Sequence, residues 1–202
     1  MAGRTLSVVK ARYSRGLAAG LRLAKGHVRY AVHRSNEQGQ RQYREIWDRS
    51  ATLDKQTAYE RLDQTRAADY VYRLTLSPHP EQQDGGKQLD LKAWTRDMMA
   101  RLERDSGQRA EWFAVTHEHQ DHRHVHVVAV SPGRLDVRHL AAMREAGDRN
   151  AAAQQRDRSR GRDQQEPGGG QTIRRSRDLE RALESPAPRG SRTAISEAVA
   201  WR

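Results

Sequence analysis

Apolar positions recur with two different periods along the first 150 residues. Thr5 to Tyr13 is rich in β-formers and predicts a strand, whereas Leu17, Leu21, Ala24 and Val28 recur at helical spacing and carry the chain to Tyr30. A polar Asn36-Glu37-Gln38-Gly39 loop follows. Asp54 is placed to cap a helix containing Ala58 and Leu62, and Tyr70 to Leu76 reads as a strand ended by Ser77-Pro78. Leu91, Trp94, Met98 and Leu102 form one face of a helix that Asp90 caps and that ends near Gly107. Trp112 to Val115 and His124 to Val130 are two further strands, and Leu140 and Met143 begin a helix after Asp136. Strands at both ends of a helical segment, followed by two strands joined by a short polar connection, predict an α+β fold with an antiparallel or mixed sheet covered by helices.

The pattern fails from about Asn150, where AAAQQRDRSRGRDQQEPGGGQ offers almost nothing to bury. A domain over residues 1–149 and a disordered linker and tail over 150–202 are the expectation, with a short helix near 173–184 built on Ile173, Leu179 and Leu183. A mean hydropathy of −1.03 over 202 residues agrees that part of the chain lies outside any core. The absence of cysteine excludes a disulfide scaffold, thiolate zinc sites and a cysteine nucleophile, and fits a reducing compartment. No apolar run approaches the roughly 20 residues of a membrane span, and Lys10 and Arg12 interrupt the N-terminal apolar runs, unlike a secretory signal. The expectation is a soluble cytoplasmic protein with no membrane insertion.

Charge sharpens this picture because it is uneven. Residues 1–50 carry 11 basic and 3 acidic side chains, residues 51–150 carry 15 and 16, and the remainder 11 and 7. Eight Lys or Arg and no carboxylate fall within residues 1–35, the footprint of a polyanion-binding surface. Arg12, Lys25, Arg29 and Arg34 are the candidate DNA contacts, with Tyr13, Tyr43 and Trp47 as possible stacking platforms.

Five of the nine histidines lie in HEHQDHRHVH, His117 to His126. If the segment from His122 is extended, His122, His124 and His126 point to one face while Val125 and Val127 point to the other. Neighbouring imidazoles on a rigid strand suit a divalent cation, and the preceding strand can fold back to supply a third ligand. His117 and His119 compete for that position; His117 continues the strand begun by Trp112. Three imidazoles with open coordination positions form a reaction-centre geometry rather than a structural zinc finger.

The stretch EWFAVTHEHQDHRHVHVVAV, with VYRLTLSPHPEQQD and LDLKAWTRDMMARLERDSG before it and GRLDVRHLAAMREAG after it, resembles the catalytic domain of plasmid mobilization relaxases of the HUH endonuclease superfamily. The resemblance covers roughly residues 20–150, and Arg123 stands where that family often has proline. It implies a central antiparallel sheet flanked by helices, with two histidines on a middle strand, one divalent cation and a tyrosine that attacks DNA. The matching tyrosine is Tyr30 in GHVRYAVHRS, with Tyr13 and Tyr43 as competitors. Relaxases place the tyrosine before the histidine strand, whereas replication initiators and transposases of the superfamily place it after; no tyrosine follows His126.

The implied reaction is transesterification, with His117, His124 and His126 holding the cation while Tyr30 forms a 5′-phosphotyrosyl link and frees a 3′-hydroxyl. The implied cofactor is Mg²⁺ or Mn²⁺, with Zn²⁺, Co²⁺ and Ni²⁺ as alternatives favoured by imidazole. His119, His122, Asp121 and Glu81 are further metal or acid–base candidates, and Asp84 is a weaker one. The implied partner is single-stranded DNA at an origin of transfer, with accessory relaxosome proteins and a secretion coupling protein. Two rival readings are a non-catalytic DNA-binding protein with a histidine metal site and a metal phosphodiesterase that activates water.

Overall fold

The computed structural model describes residues 5–35, 39–40, 43–118 and 122–165, with side chains described through 161. Met1–Ser159 form one compact unit; Arg160–Arg202 form a second, of which only the last residues of α4 lie among those described. In chain order the elements are β1 (Val8–Arg15), α1 (Ala18–His33), β2 (Ile46–Trp47), β3 (Thr52–Leu53), α2 (Lys55–Asp63), β4 (Tyr70–Ser77), α3 (Leu91–Ser106), β5 (Glu111–His117), β6 (His124–Ser131) and α4 (Val137–Gln165). The strands make one antiparallel sheet in the order β1-β4-β6-β5-β2-β3, so the fold is α+β and β6 lies inside the sheet, between β4 and β5.

Local chemistry sets the helix ends. The Asp54 carboxylate accepts from the Thr57 amide at 2.8 Å, and Asp90 accepts from Lys92 and Ala93 at 2.9 and 3.0 Å. Gly107 ends α3 at φ 64°, a left-handed conformation that glycine adopts without strain. At Gly20, a Cβ would come within 2.1 Å of the Arg15 carbonyl oxygen, so the absence of a side chain lets α1 lie against the end of β1.

Each face of the sheet has its own apolar cluster. Ala24, Val28, Ala31 and Val32 of α1 pack with Ala58 and Leu62 of α2 on Ile46, Val71, Phe113, Val115 and Val128. The opposite face packs Val9, Leu74, Leu76, Val125, Val127 and Ala129 against Trp94, Met98, Met99 and Leu102 of α3 and Met143 and Ala151 of α4.

Two features depart from the sequence pattern. The β2–β3 hairpin is too short to show a period; it is held by Asp48, whose Oδ1 accepts from the Ser50 and Ala51 amides and whose Oδ2 accepts from Arg61. Its register points Trp47 toward α3 at 1% exposure, where it packs edge-on with Trp112, so Trp47 is a core residue and no stacking platform.

The second departure is α4, which continues through Asn150 into the region that composition assigned to a linker. Ala151 is buried, Gln154 exchanges hydrogen bonds with the backbone of Asp90, Gln155 donates to the Gln82 carbonyl and Arg158 to the Gln88 carbonyl. Polar side chains thus dock this helix by binding loop backbone, an attachment that hydropathy does not register. The proposed helix near 173–184 lies outside the described residues.

Candidate metal and nicking site

Strand alternation decides which residues of the β5–β6 hairpin share a face. On β6, Val125, Val127 and Ala129 enter the core beneath α3, which turns His124, His126 and Val128 toward α1; on β5, Val115 and His117 take the same side. Register then sets His117 opposite His124 and Val115 opposite His126. The ring centroids lie 5.0 Å (His117–His124), 4.6 Å (His117–His126) and 4.9 Å (His124–His126) apart, and one ring nitrogen from each lies within 4.8 Å of the other two. Among the described residues this is the group of histidine or acidic side chains that could hold a metal.

Neighbouring backbone orients two of the rings. A carbonyl oxygen only accepts, so the nitrogen facing it carries the proton and the other presents its lone pair. Nε2 of His117 donates to the Ala31 carbonyl at 2.8 Å, and Nδ1 of His124 donates to the His122 carbonyl at 3.1 Å. Nδ1 of His126 lies 3.5 Å from the Thr75 hydroxyl, while its Nε2 is buried with no hydrogen-bond partner.

Burial is the main cause that pushes the His117 pKa down to about 4 and that of His126 to about 2, with neighbouring His and Arg charges adding; His124 is lowered for the same reason. All three are neutral at pH 7, the state that ligates. Converging neutral imidazoles with an orphaned buried nitrogen fit a divalent cation, and they leave room for oxygen ligands.

Helix α1 carries the remaining parts. The Tyr30 ring stands edge-on 6.2 Å from His126 and is 51% exposed, and the Arg34 guanidinium lies 5.6 Å from its centroid. One turn earlier, His27 meets His126 at 4.9 Å with its own Nε2 buried and unpartnered. Sequence reading missed His27; the signal available was its three-residue spacing from Tyr30, which puts both on one helix face. Tyr13 follows Val9 and Ala11 on the opposite face of the sheet, where its ring meets Tyr70 and Tyr72. Tyr43 is exposed and stacks edge-on with His33.

The hairpin is anchored from below. Nε and Nη2 of Arg123 donate to the two Asp84 oxygens at 2.7 and 2.5 Å, and Nη2 also donates to the Leu89 carbonyl, all buried. Arg123, noted in the sequence only for standing where proline is common, pins the base of β6 to the loop before α3. Asp84 is consumed by that pair, and Glu81 is exposed in the same loop, apart from the histidine group. His122 is exposed and precedes β6. His119 and Asp121 lie outside the described residues.

Of the candidate DNA contacts, Arg12 and Arg29 are exposed and Arg34 stands over Tyr30. Lys25 forms an ion pair with Asp63 at 2.6 Å that ties α1 to α2. Alternation places Arg12 of β1 and its partner Arg73 of β4 on the histidine face of the sheet.

No curated protein and no solved structure matches the chain. The family model described as relaxase, MobA/VirD2-like, nuclease domain, matches residues 28–156, a span that begins two residues before Tyr30 and includes all three converging histidines. With that match over most of its length, and with an antiparallel sheet bearing a histidine trio on its middle strands, the chain belongs to the relaxase family of DNA-nicking nuclease domains.

Proposed function

We propose that the protein nicks one DNA strand at an origin of transfer by transesterification, with Tyr30 as the nucleophile. The observation that carries this reading is the position of the Tyr30 ring, beside His126 and beneath Arg34 on the exposed rim of a buried histidine trio. His117, His124 and His126 are the residues that would hold a divalent cation, which when bound supplies positive charge to the nonbridging oxygens of a phosphodiester.

The Tyr30 ring is open to a strand laid on the rim, with the Arg34 guanidinium 5.6 Å from its centroid. Attack of the Tyr30 oxygen on phosphorus forms a P–O(Tyr) bond and breaks the bond from phosphorus to the 3′ oxygen. The proton lost by tyrosine is balanced by the one gained at the 3′-hydroxyl, and the phosphodiester energy is retained for rejoining. Arg12, Arg29 and Arg34 supply charge for the backbone, and exposed Tyr13 and Tyr43 offer faces for base stacking.

Mg²⁺ or Mn²⁺ is the cation we assign in function. Single-stranded origin DNA, accessory relaxosome proteins and a secretion coupling protein are the partners we assign, in the cytoplasm of a bacterial host of a mobile element. Among the described residues no helix is long and apolar enough to cross a membrane.

The test is incubation with a supercoiled plasmid bearing the gene and its flanking DNA, with Mg²⁺ or Mn²⁺, followed by denaturing electrophoresis. A metal-dependent protein–DNA adduct that vanishes in Tyr30→Phe is the expected result. Cleavage without an adduct would replace this reading with water activation, and an adduct that survives in Tyr30→Phe would move the nucleophile to Tyr43 or Tyr13.

A further inference from the structure

Among the described residues, Arg44 is a buried guanidinium without a counter-ion. It is 8% exposed, and among the described residues no carboxylate lies within ion-pair distance of it. Its backbone amide donates to the Val32 carbonyl at 3.0 Å and its Nη1 to the Arg34 carbonyl at 2.6 Å, which seats it on the C-terminal end of α1. Those carbonyls supply at most about half a negative charge as the end of the helix dipole. Nε is buried with no hydrogen-bond partner among the described residues.

The neighbouring acids are otherwise engaged. Glu45 is held by Lys92 at 2.5 Å, Asp90 caps α3, and Glu118 faces Arg123 at 3.6 Å. Arginine cannot shed its proton to escape burial, so an uncompensated guanidinium here is costly unless an anion arrives.

The anion's position is bounded on several sides. Arg44 lies two residues before Ile46, whose sheet partner is Val115, and its bonds to the Val32 and Arg34 carbonyls seat it at the end of the helix that carries Tyr30. It also lines a cavity of about 420 Å³ with Trp47, Thr116 and Arg123, a cavity whose wall includes the acids Glu45, Asp90 and Glu118.

We propose that Arg44 is a catalytic residue of the nicking reaction, its buried guanidinium donating to a nonbridging oxygen of the scissile phosphodiester and then of the phosphotyrosyl group on Tyr30. The proposal rests on the transesterase reading and adds to it a donor fixed before substrate arrives. Such preorganised donors act where charge develops in the transition state, and removing one costs about 100- to 1,000-fold in rate. Among the arginines around Tyr30, Arg29 is exposed and Arg34 only half-buried, so Arg44 is the one already desolvated.

The experiment compares Arg44→Ala and Arg44→Lys with wild type in single-turnover adduct formation on the same plasmid, beside DNA affinity measured separately. The expected result is a fall of about 100-fold or more in adduct rate for Arg44→Ala and a smaller one for Arg44→Lys, with affinity changed less than about tenfold. Adduct formation by Arg44→Ala at the wild-type rate overturns the proposal and leaves the Tyr30 reading intact.

A second readout needs neither nicking nor a stable alanine variant. Wild-type protein with Mg²⁺ is titrated with inorganic phosphate while the arginine Nε–H signals are followed by NMR. One slowly exchanging signal, absent from Arg44→Lys, is expected to shift; if it does not respond, the anion site is refuted even where no adduct forms in wild type.

Discussion

The two faces of the sheet are made by the same strands yet follow opposite rules. Beneath α3 and α4, Val125, Val127 and Ala129 meet Trp94, Met98 and Met143 in a sealed apolar layer. On the α1 side, the same β6 strand presents His124 and His126, and β4 presents Arg73 and Thr75. There the polar atoms are buried but incompletely satisfied: among the described residues, Nε2 of His27, Nε2 of His126 and Nε of Arg44 and Arg73 have no hydrogen-bond partner. Helix α3 also buries Thr95 Oγ1 without a hydrogen-bond partner, but among the described residues the unpartnered imidazole nitrogens lie on the α1 side, where a ligand could complete them.

Tyr30→Phe is the sharpest way to separate the faces. If Tyr30 is the nucleophile as proposed, the substitution is expected to reduce adduct formation by about 1,000-fold or more, while leaving the thermal midpoint unchanged because the Tyr30 ring sits on an exposed rim. A large drop in the midpoint would mean that the rim is structural after all.

Asp84→Ala attacks the link between the faces. It strands Arg123 without its partner, so urea unfolding should lose about 3–5 kcal/mol, and metal affinity by calorimetry should fall with it because Arg123 directly precedes the proposed ligand His124. Unchanged metal affinity would show the histidine hairpin to be self-supporting.

Met98→Ala probes the sealed face alone and should cost about 3 kcal/mol in urea unfolding, from lost transfer energy plus a cavity. Metal affinity of the folded protein should not change; if it does, packing beneath α3 tunes the site.

The smallest effect is expected at Asp48, whose hydrogen bonds from Ser50, Ala51 and Arg61 outweigh burial and lower its pKa to about 2. Because the folded value lies below the unfolded value of about 3.9, the contribution is complete above about pH 5 and is lost as pH falls toward 2. It amounts to about 1–2 kcal/mol. Asp48→Asn should flatten the stability profile across that window, and an unaltered profile would assign the acid sensitivity elsewhere.

Legibility from sequence followed the range of the interaction. Period-2 alternation was enough to put His124 and His126 on one face and Val125 and Val127 on the other, and short-range caps at Asp54, Asp90 and Gly107 marked three helix ends. The β2–β3 hairpin was invisible because two-residue strands have no period, and α4 was cut short because Gln154, Gln155 and Arg158 bind loop backbone rather than burying apolar surface.

What the chain alone determined, then, was its set of elements, its histidine-bearing strand and its basic N-terminal region, since each depends on residues adjacent or one period apart. Tertiary structure alone decided that His117 stands level with His124, that Tyr30 faces His126 while Tyr13 lies across the sheet, and that Arg44 is buried with no counter-ion among the described residues. Those facts depend on strand register and on where α1 lands, which are set by packing among residues far apart in the chain.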